Sequence, residues 1–183
     1  MRAYRPSPAD GISHHGVITA LSRYLSTARR ADLLTSPLVP NGMRIEGLRR
    51  LGMTIGAGVS VESGVRFLGA DVVIGDGAFI NRDCFIDRGP VRIGAGAGLA
   101  PGVMLASGTH AVGPSSRRWA ENVWGTVTIG EGCWIGARSI VMPGVTVARG
   151  CIVGAGSIVT KDTEPDGVYV GTPARRIRDL PHD

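Results

Sequence analysis

The sequence predicts a mainly β fold in which short parallel strands stack into a narrow prism, and three observations lead to it. First, an aliphatic residue or phenylalanine recurs every six positions over two long stretches, 55–110 and 129–164. Second, glycine accounts for 28 of the 183 residues, which suits a chain with many tight turns. Third, aromatic residues make up only 5% of the chain, as expected for an interior too thin for large rings.

The repeat comprises fifteen hexapeptides in groups of three, with one-residue slips at 73 and 92. A period of six fits neither an amphipathic helix nor a simple alternating strand. It predicts a short strand plus a corner, three to a coil, with strands of successive coils about 4.8 Å apart and five coils about 24 Å tall. The leading, inward-pointing residues are Ile55, Val61, Phe67, Ile74, Ile80, Ile86, Ile93, Leu99, Leu105, Ile129, Ile135, Val141, Val147, Val153 and Val159.

The three cysteines, Cys84, Cys133 and Cys151, all occupy the fifth position of their hexapeptides. We interpret them as small buried hydrophobes rather than reactive thiols. Their odd number and wide spacing argue against a disulfide framework or a metal knuckle and favour the cytoplasm.

A helical cap segment is predicted over residues 1–52, because a stack of coils needs a cover at its open end. Residues 35–42 form a loop with two prolines, and residues 43–52 a short helix over the first coil. Residues 15–30 are predicted to form an amphipathic helix, with one apolar face made of Ile18, Leu21, Leu25 and Ala28.

The β-helix itself is predicted over residues 53–166, with an excursion loop at 106–128 where the repeat stops. Residues 167–183 are expected to add a strand and a basic tail.

The positive charge lies in the cap segment. Residues 1–52 carry eight Lys/Arg against three Asp/Glu, whereas residues 53–183 carry twelve of each. The excess either solvates a helix or favours an anionic lipid surface or a phosphorylated substrate, so weak contact with a membrane surface is one expectation. Nucleic acid is not expected, since no basic patch is interleaved with aromatic residues. No apolar run is long enough for a transmembrane segment, and the N-terminus does not look like a signal peptide.

His110 is the only histidine between His15 and His182, and it lies where the regular coils stop. A segment that leaves a rigid prism can reach another surface. A hydroxyl is a poor nucleophile unless its proton leaves during attack, and imidazole, with an unperturbed pKa of about 6.5, suits that task near neutral pH. The alternative is a solvated loop side chain.

The segments "IGDGAFINRDCFID", "GAGSIVTKD" and "GTPARRIRDL" resemble the hexapeptide-repeat O-acetyltransferases of the maltose, galactoside, nodulation-factor and exopolysaccharide types. The resemblance covers residues 55–178. It implies a left-handed β-helix and a homotrimer with active sites between subunits. It also implies acetyl transfer from acetyl-CoA to a hydroxyl of a sugar or glycan-type acceptor, with no metal required.

The same resemblance implies roles for residues around the reacting hydroxyl. His110 matches the general base, and Asn81 matches an asparagine that hydrogen-bonds the acceptor and helps to hold the reacting centre. Asp87 matches a carboxylate that contacts acceptor hydroxyls. Trp134 matches a tryptophan that lines the acceptor and pantetheine channel, and its place beside a fifth-position residue predicts that it points outward. Asn81 and Asp87 could instead simply cap corners.

For the acyl donor, the resemblance implies a binding track along the coils. The Ala137 N–H matches an oxyanion donor near the thioester carbonyl, and backbone groups of Ala155 and Thr160 match positions along the pantetheine arm. Charge-assisted bonds to the adenosine phosphates are implied for Lys161, Arg175 and Arg178. The alternative is that these cations only solvate the C-terminal tail.

Two departures leave the acceptor open. Ala111 stands where galactoside-type enzymes often have proline, and the basic segment 1–52 replaces their acidic acceptor-binding helices. Alternatives are an N-acetyltransferase for amino sugars, an antibiotic acetyltransferase of the xenobiotic type, and a non-catalytic scaffold. A γ-class carbonic anhydrase shares the prism but needs three histidines on one zinc, and the prism region offers only His110.

Overall fold

The computed structural model describes residues 27–181. Most of the predicted helix at 15–30 therefore lies outside the described residues; residues 27–34 are helical (α1). The predicted helix at 43–52 is confirmed as α2, Asn41–Arg50, which begins two residues earlier, directly after Pro40. Within the described range, no helix is both long and apolar enough to cross a membrane.

Nineteen short strands follow α2 in the described part of the chain, and all but β10, β11 and β19 form the stacked coils. In chain order they are β1 (Thr54–Ile55), β2 (Ser60–Val61), β3 (Arg66–Phe67), β4 (Val72–Ile74), β5 (Phe79–Ile80), β6 (Phe85–Ile86), β7 (Val91–Ile93), β8 (Gly98–Leu99), β9 (Met104–Leu105), β10 (Gly108–Val112), β11 (Trp119–Trp124), β12 (Val127–Ile129), β13 (Trp134–Ile135), β14 (Ile140–Val141), β15 (Thr146–Val147), β16 (Ile152–Val153), β17 (Ile158–Val159), β18 (Gly167–Gly171) and β19 (Ala174–Asp179).

The coil strands form three parallel sheets, one for each side of the prism. Their orders are β1-β4-β7-β12-β15, then β18-β16-β13-β8-β5-β2 with β19 added antiparallel outside β18, and β17-β14-β9-β6-β3. Ile55 pairs with Ile74 and Ile129 with Val147, so early coils have nineteen residues and late coils eighteen. The predicted slips and the mainly β, parallel β-helix are confirmed.

The interior is a set of aliphatic ladders. All fifteen leading residues are buried, at no more than 6% exposure, because each ends a strand whose final side chain points inward. The three cysteines are buried beside them. Burial raises the pKa of Cys84 to about 11, and the Cys133 thiol donates to the Ala148 carbonyl at 2.9 Å. Both observations agree with their interpretation as packing residues.

Corners need a left-handed backbone at the fourth position of most hexapeptides, which explains much of the glycine content. Gly102, for example, has φ of 72°, a conformation that costs glycine nothing. Asp83 and Arg138 adopt it at φ of 59° and 57°, so the corner geometry overrides the preference of the side chain.

Helix α2 closes the first coil through polar side chains. The Asn41 amide donates to the Val59 carbonyl at 3.2 Å and accepts the Val61 N–H at 3.0 Å. Arg44 is only 5% exposed and donates to four backbone carbonyls, those of Leu34, Ser36, Val39 and Val61. Arg49 donates to the Ile55 and Gly56 carbonyls. These arginines are structural, so the cap is not simply a solvated basic helix.

Two segments differ from the sequence-based expectation. Residues 108–124, expected as part of a loop, form an antiparallel hairpin of β10 and β11. Residues 174–179, expected as a basic tail, form β19 paired antiparallel with β18. Alternating burial does not mark either segment, because both lie outside the core and most of their residues are exposed.

Candidate active site

His110 lies on β10, opposite Asn122 of β11, and its side chain is exposed. Its Nδ1 lies 3.1 Å from the Ala120 carbonyl oxygen. A carbonyl can only accept, so Nδ1 is the donor in this contact, and in the neutral imidazole the lone pair is then on Nε2. The Trp119 ring packs against the imidazole in a T-shaped arrangement at 5.6 Å. The hairpin therefore presents a ring nitrogen that can take a proton.

Asp87 anchors the root of this hairpin. Its Oδ2 accepts the Gly108 N–H at 2.9 Å, two residues before His110, and its Oδ1 accepts the N–H of the next residue, Arg88, at 2.7 Å. Beside it, the buried Ser107 hydroxyl accepts the Gly89 N–H at 2.8 Å. Sequence reasoning assigned Asp87 to the acceptor and missed this anchoring bond, because no local pattern reveals that two separate turns meet.

Trp124 completes the root by packing over two glycines. A Cβ at Gly108 would lie 2.6 Å from the Trp124 ring, and one at Gly89 would lie 3.0 Å from it. The Arg88 guanidinium lies 5.6 Å from the Trp124 ring centroid. Gly108 is therefore required by the close approach of the indole, and Gly89 by the Ser107 hydroxyl, which would lie 2.8 Å from an added Cβ, together with the indole.

Asn81 and Trp134 line one groove of about 280 Å³ on the outer face of the seven-stranded sheet. Gly98 pairs with Phe79 on one side and with Trp134 on the other, so its missing side chain leaves a slot between the two rings. Trp134 is 57% exposed, which confirms its outward direction. The Asn81 Oδ1 accepts the backbone N–H of its neighbour Arg82 at 2.8 Å, which leaves the amide NH₂ for a ligand.

Two of the sequence-predicted positions, Ala137 and Ala155, occupy the same corner of successive coils. Their coils are tied at this corner, where the Ala137 carbonyl accepts the Gly156 N–H at 2.8 Å. Ala137 is half-buried and Ala155 exposed. This corner directly follows the strand of Trp134.

Lys161 and Arg175 come together in a second groove of about 300 Å³ at the C-terminal end of the prism. Thr160 precedes Lys161 and is exposed. Arg178 lies further along β19, opposite Val168, and does not line the groove. None of the three cations forms an ion pair with a carboxylate of residues 27–181.

Arg176, which sequence reasoning passed over, holds β19 in place. Its guanidinium donates to the Glu164, Pro165 and Asp166 carbonyls, to the Tyr169 hydroxyl and, at 2.7 Å, to the Asp179 carboxylate. The Tyr169 hydroxyl and the Asp179 carboxylate raise the pKa of Arg176. A run of basic residues in sequence does not distinguish this clamp from its unpaired neighbours.

In a single chain these residues form separate groups. Asp87 and His110 meet at the hairpin root, Asn81 and Trp134 share the slot, and Lys161 joins Arg175 at the end of the prism. Asn81 follows β5, which belongs to the seven-stranded sheet. The hairpin leaves the prism after β9, which belongs to the sheet β17-β14-β9-β6-β3. Among residues 27–181, no group of three or more His, Cys, Asp or Glu side chains is arranged to hold a metal ion.

Comparison with known proteins identifies the family. Residues 126–161 match the family model described as the hexapeptide repeat of succinyl-transferase. Galactoside O-acetyltransferase of Escherichia coli K12 is 36% identical over 135 residues, which are 73% of this chain and 66% of that protein. The structure of a galactoside acetyltransferase in complex with coenzyme A superposes with a TM-score of 0.78 at 30% identity, covering 88% of this chain and 82% of that one.

The chain belongs to the hexapeptide-repeat acetyltransferases. A maltose O-acetyltransferase from Clostridium difficile 630 shares the same architecture, with a TM-score of 0.81 at 29% identity, covering 90% of this chain and 89% of that one. The matched part of this hexapeptide-repeat chain spans 59% to 66% of the length of the first curated relatives.

Proposed function

We propose that this protein is an acetyl-CoA-dependent O-acetyltransferase that acts on a hydroxyl of a sugar or glycan-type acceptor, with His110 as general base. The observation that carries the proposal is the Nδ1–H bond from His110 to the Ala120 carbonyl, since it fixes the tautomer that a base needs. Relatives named galactoside and maltose O-acetyltransferases support the choice of reaction and acceptor class.

The proposed step is a single acyl transfer. The acceptor oxygen attacks the thioester carbonyl carbon while Nε2 of His110 removes the hydroxyl proton. The carbon–sulfur bond then breaks, and the imidazolium returns the proton to the leaving thiolate. Asp87 contributes by holding the start of β10, which fixes the distance between the base and its target.

The slot between Phe79 and Trp134 is the proposed site for the groups next to the reacting carbonyl. The Asn81 amide NH₂ points to a hydrogen bond with the acceptor, and Trp134 offers an apolar wall to the pantetheine arm or a sugar ring. Ala137, at the corner after Trp134, supplies the proposed N–H for the developing oxyanion.

The donor would extend from this corner to the C-terminal groove. Ala155 and Thr160 mark the track for the pantetheine arm, and the unpaired cations at its end, Lys161 and Arg175, are proposed to bind phosphate. Arg178 lies outside that groove, so its proposed contact requires a ligand that reaches along β19.

A homotrimer is part of this proposal, because the hairpin and the slot lie on different sides of one prism. A neighbouring subunit would bring its own slot to the hairpin of the first. We place the protein in the cytoplasm, as its three buried free thiols suggest a reducing compartment.

The test measures thiol release from acetyl-CoA with a panel of sugar acceptors. His110→Ala should lower turnover roughly 10²- to 10⁴-fold, without change in the affinity for CoA or in thermal melting. Val112→Thr is the matched control, because Val112 lies two residues further along the same strand and is exposed. A His110→Ala variant that keeps a third of the activity contradicts the assignment.

The acetylated product distinguishes O-acetylation from N-acetylation. An acetyl group that hydroxylamine removes is an ester and indicates O-transfer, whereas one on an amino sugar that resists hydroxylamine is an amide and indicates N-transfer. The structure of PerB from Caulobacter crescentus in complex with CoA and GDP-perosamine, an amino-sugar nucleotide, superposes less well, with a TM-score of 0.57, than the galactoside and maltose acetyltransferase structures, which favours the O-transfer proposal.

A further inference from the structure

The outer part of the hairpin carries a cationic and aromatic surface beside His110, which we call the tip shelf and define as Arg117 and Trp119. Trp119 is 58% exposed, and its ring centroid lies 5.6 Å from that of His110. The Arg117 guanidinium lies 4.0 Å from the indole centroid. The two distances place the guanidinium less than about 10 Å from the imidazole centroid, at ordinary cation–π separation from the ring.

Arg117 is held in position without an acidic partner. Stacking on indole orients a guanidinium while its N–H edge stays available for two parallel hydrogen bonds. Arg117 forms no ion pair with a carboxylate of residues 27–181, whereas Arg92, for comparison, lies 2.7 Å from Asp71. The adjacent Arg118 turns back and donates to the Gly113 carbonyl at 3.3 Å. Arg117 is therefore the oriented cation at the tip.

The tip shelf lines a cavity of about 610 Å³, within the usual size range of small-molecule sites. Besides Arg117 and Trp119, its lining includes Ser116 and Glu121. Hydroxyl and carboxylate groups suit the hydroxyls of a sugar, and an exposed indole suits the apolar face of its ring. The Arg117 guanidinium, in contrast, is a partner for a negative charge, which a neutral sugar lacks.

Resting on the proposed acetyl transfer at His110, we infer that the acceptor carries an anionic group, a phosphate or a carboxylate, that binds Arg117 while its sugar ring lies against Trp119. The reacting hydroxyl then sits at Nε2 of His110, one sugar unit away from the charge. The tip shelf selects this acceptor class over neutral sugars, because an oriented guanidinium forms two parallel hydrogen bonds with an anion of opposite charge, and these are stronger than its bonds to a neutral hydroxyl.

The experiment compares glucose, glucose 6-phosphate and glucuronic acid as acceptors, by thiol release and by calorimetric binding in the presence of CoA. The wild type should bind and use at least one anionic sugar roughly tenfold better than glucose. Arg117→Ala should remove that preference by raising KM for the anionic sugar roughly 10- to 100-fold, while KM for acetyl-CoA, the rate with glucose and thermal melting stay unchanged. Arg118→Ala is the matched control, and Arg117→Lys should restore part of the preference.

Three results would overturn the inference. Equal use of glucose and the anionic sugars, unaffected by Arg117→Ala, removes the selectivity but leaves the proposed acetyl transfer intact. An increase in KM for acetyl-CoA in Arg117→Ala places the anion on the donor instead. Absence of both turnover and calorimetric binding for every sugar rejects the tip shelf as an acceptor site, and the His110 experiment then decides whether acetyl transfer itself fails. A preference for phosphate or for carboxylate identifies the anion.

Discussion

Replacing Gly98 by valine should close the slot between Phe79 and Trp134 without harming the fold. A Cβ at Gly98 meets no heavy atom within 4 Å, and this glycine does not need the left-handed conformation of the corner glycines. Valine is favoured over glycine in strands, on a scale that spans about 1 kcal/mol. The free energy of unfolding should therefore stay the same or rise slightly.

The cost should fall on binding. A ligand in the slot would meet the added methyl groups, and forcing such groups into a packed contact costs about 1–3 kcal/mol. With 1.4 kcal/mol for each tenfold change, this corresponds to a KM raised about 5- to 150-fold. The affected substrate, donor or acceptor, reveals which one occupies the slot.

The assay determines both KM values by thiol release, together with thermal melting and sedimentation. Gly98→Ala should show a smaller effect in the same direction. Thr128→Val is the matched control, since Thr128 lies at the middle of β12 in a different sheet. Unchanged KM values in a folded Gly98→Val protein would refute the slot as a binding surface, and a lower melting temperature would refute the open space at Gly98.

Four further outcomes are expected. Val153→Asp should abolish soluble folding, because an unpaired buried carboxylate costs several kcal/mol, and unchanged melting would mean that Val153 faces outward. Asp87→Ala should lower kcat about 10- to 100-fold by releasing β10. Asp87→Asn keeps one oxygen for the Gly108 N–H and gives up only the bond to the Arg88 N–H, so it should lose less; equal losses would mean that the bond to Gly108 is not what holds the base. Arg176→Ala should raise KM for acetyl-CoA with little change in kcat, because β19 would lose the contacts that hold it in place. An unchanged KM would mean that donor binding does not depend on an ordered β19. Burial raises the pKa of Cys84 to about 11, so the folded protein keeps this thiol protonated at a pH where the unfolded chain loses the proton. The free energy of unfolding should therefore fall as pH rises from 9 to 11, by on the order of 2–3 kcal/mol relative to Cys84→Ala. Parallel curves of unfolding free energy against pH for the two proteins would argue against a protonated buried thiol.

The prism could be predicted from the repeat because every leading residue has the same place in the structure. Each ends a strand, and its side chain points into the core. Fifteen consistent registers leave little freedom for another fold. The outward direction of Trp134 followed from the same logic, since Cys133 just before it points inward. The structure could be predicted from the sequence wherever buried residues recur at a regular spacing.

It was weak where structure depends on a contact between distant segments. The hairpin has no buried face, so its strands show no alternation, and β19 is likewise exposed along nearly its whole length. Arg44 and Arg176 read as ordinary surface cations, yet each donates several hydrogen bonds to carbonyls that only the folded chain brings together. Asp87 was identified from resemblance as a ligand group, and its bond to Gly108 could be found only in three dimensions.

The closure of the first coil has a consequence for solubility. Identical coils present the same pattern of N–H and C=O groups at each end, so an uncovered coil is a template for a second copy of the chain and for fibre growth. Asn41, Arg44 and Arg49 occupy such acceptors at Val59, Val61 and Ile55. Besides supporting the helix, these side chains therefore cap the first coil. Their loss would leave its backbone groups open to pairing with another copy of the chain, end to end.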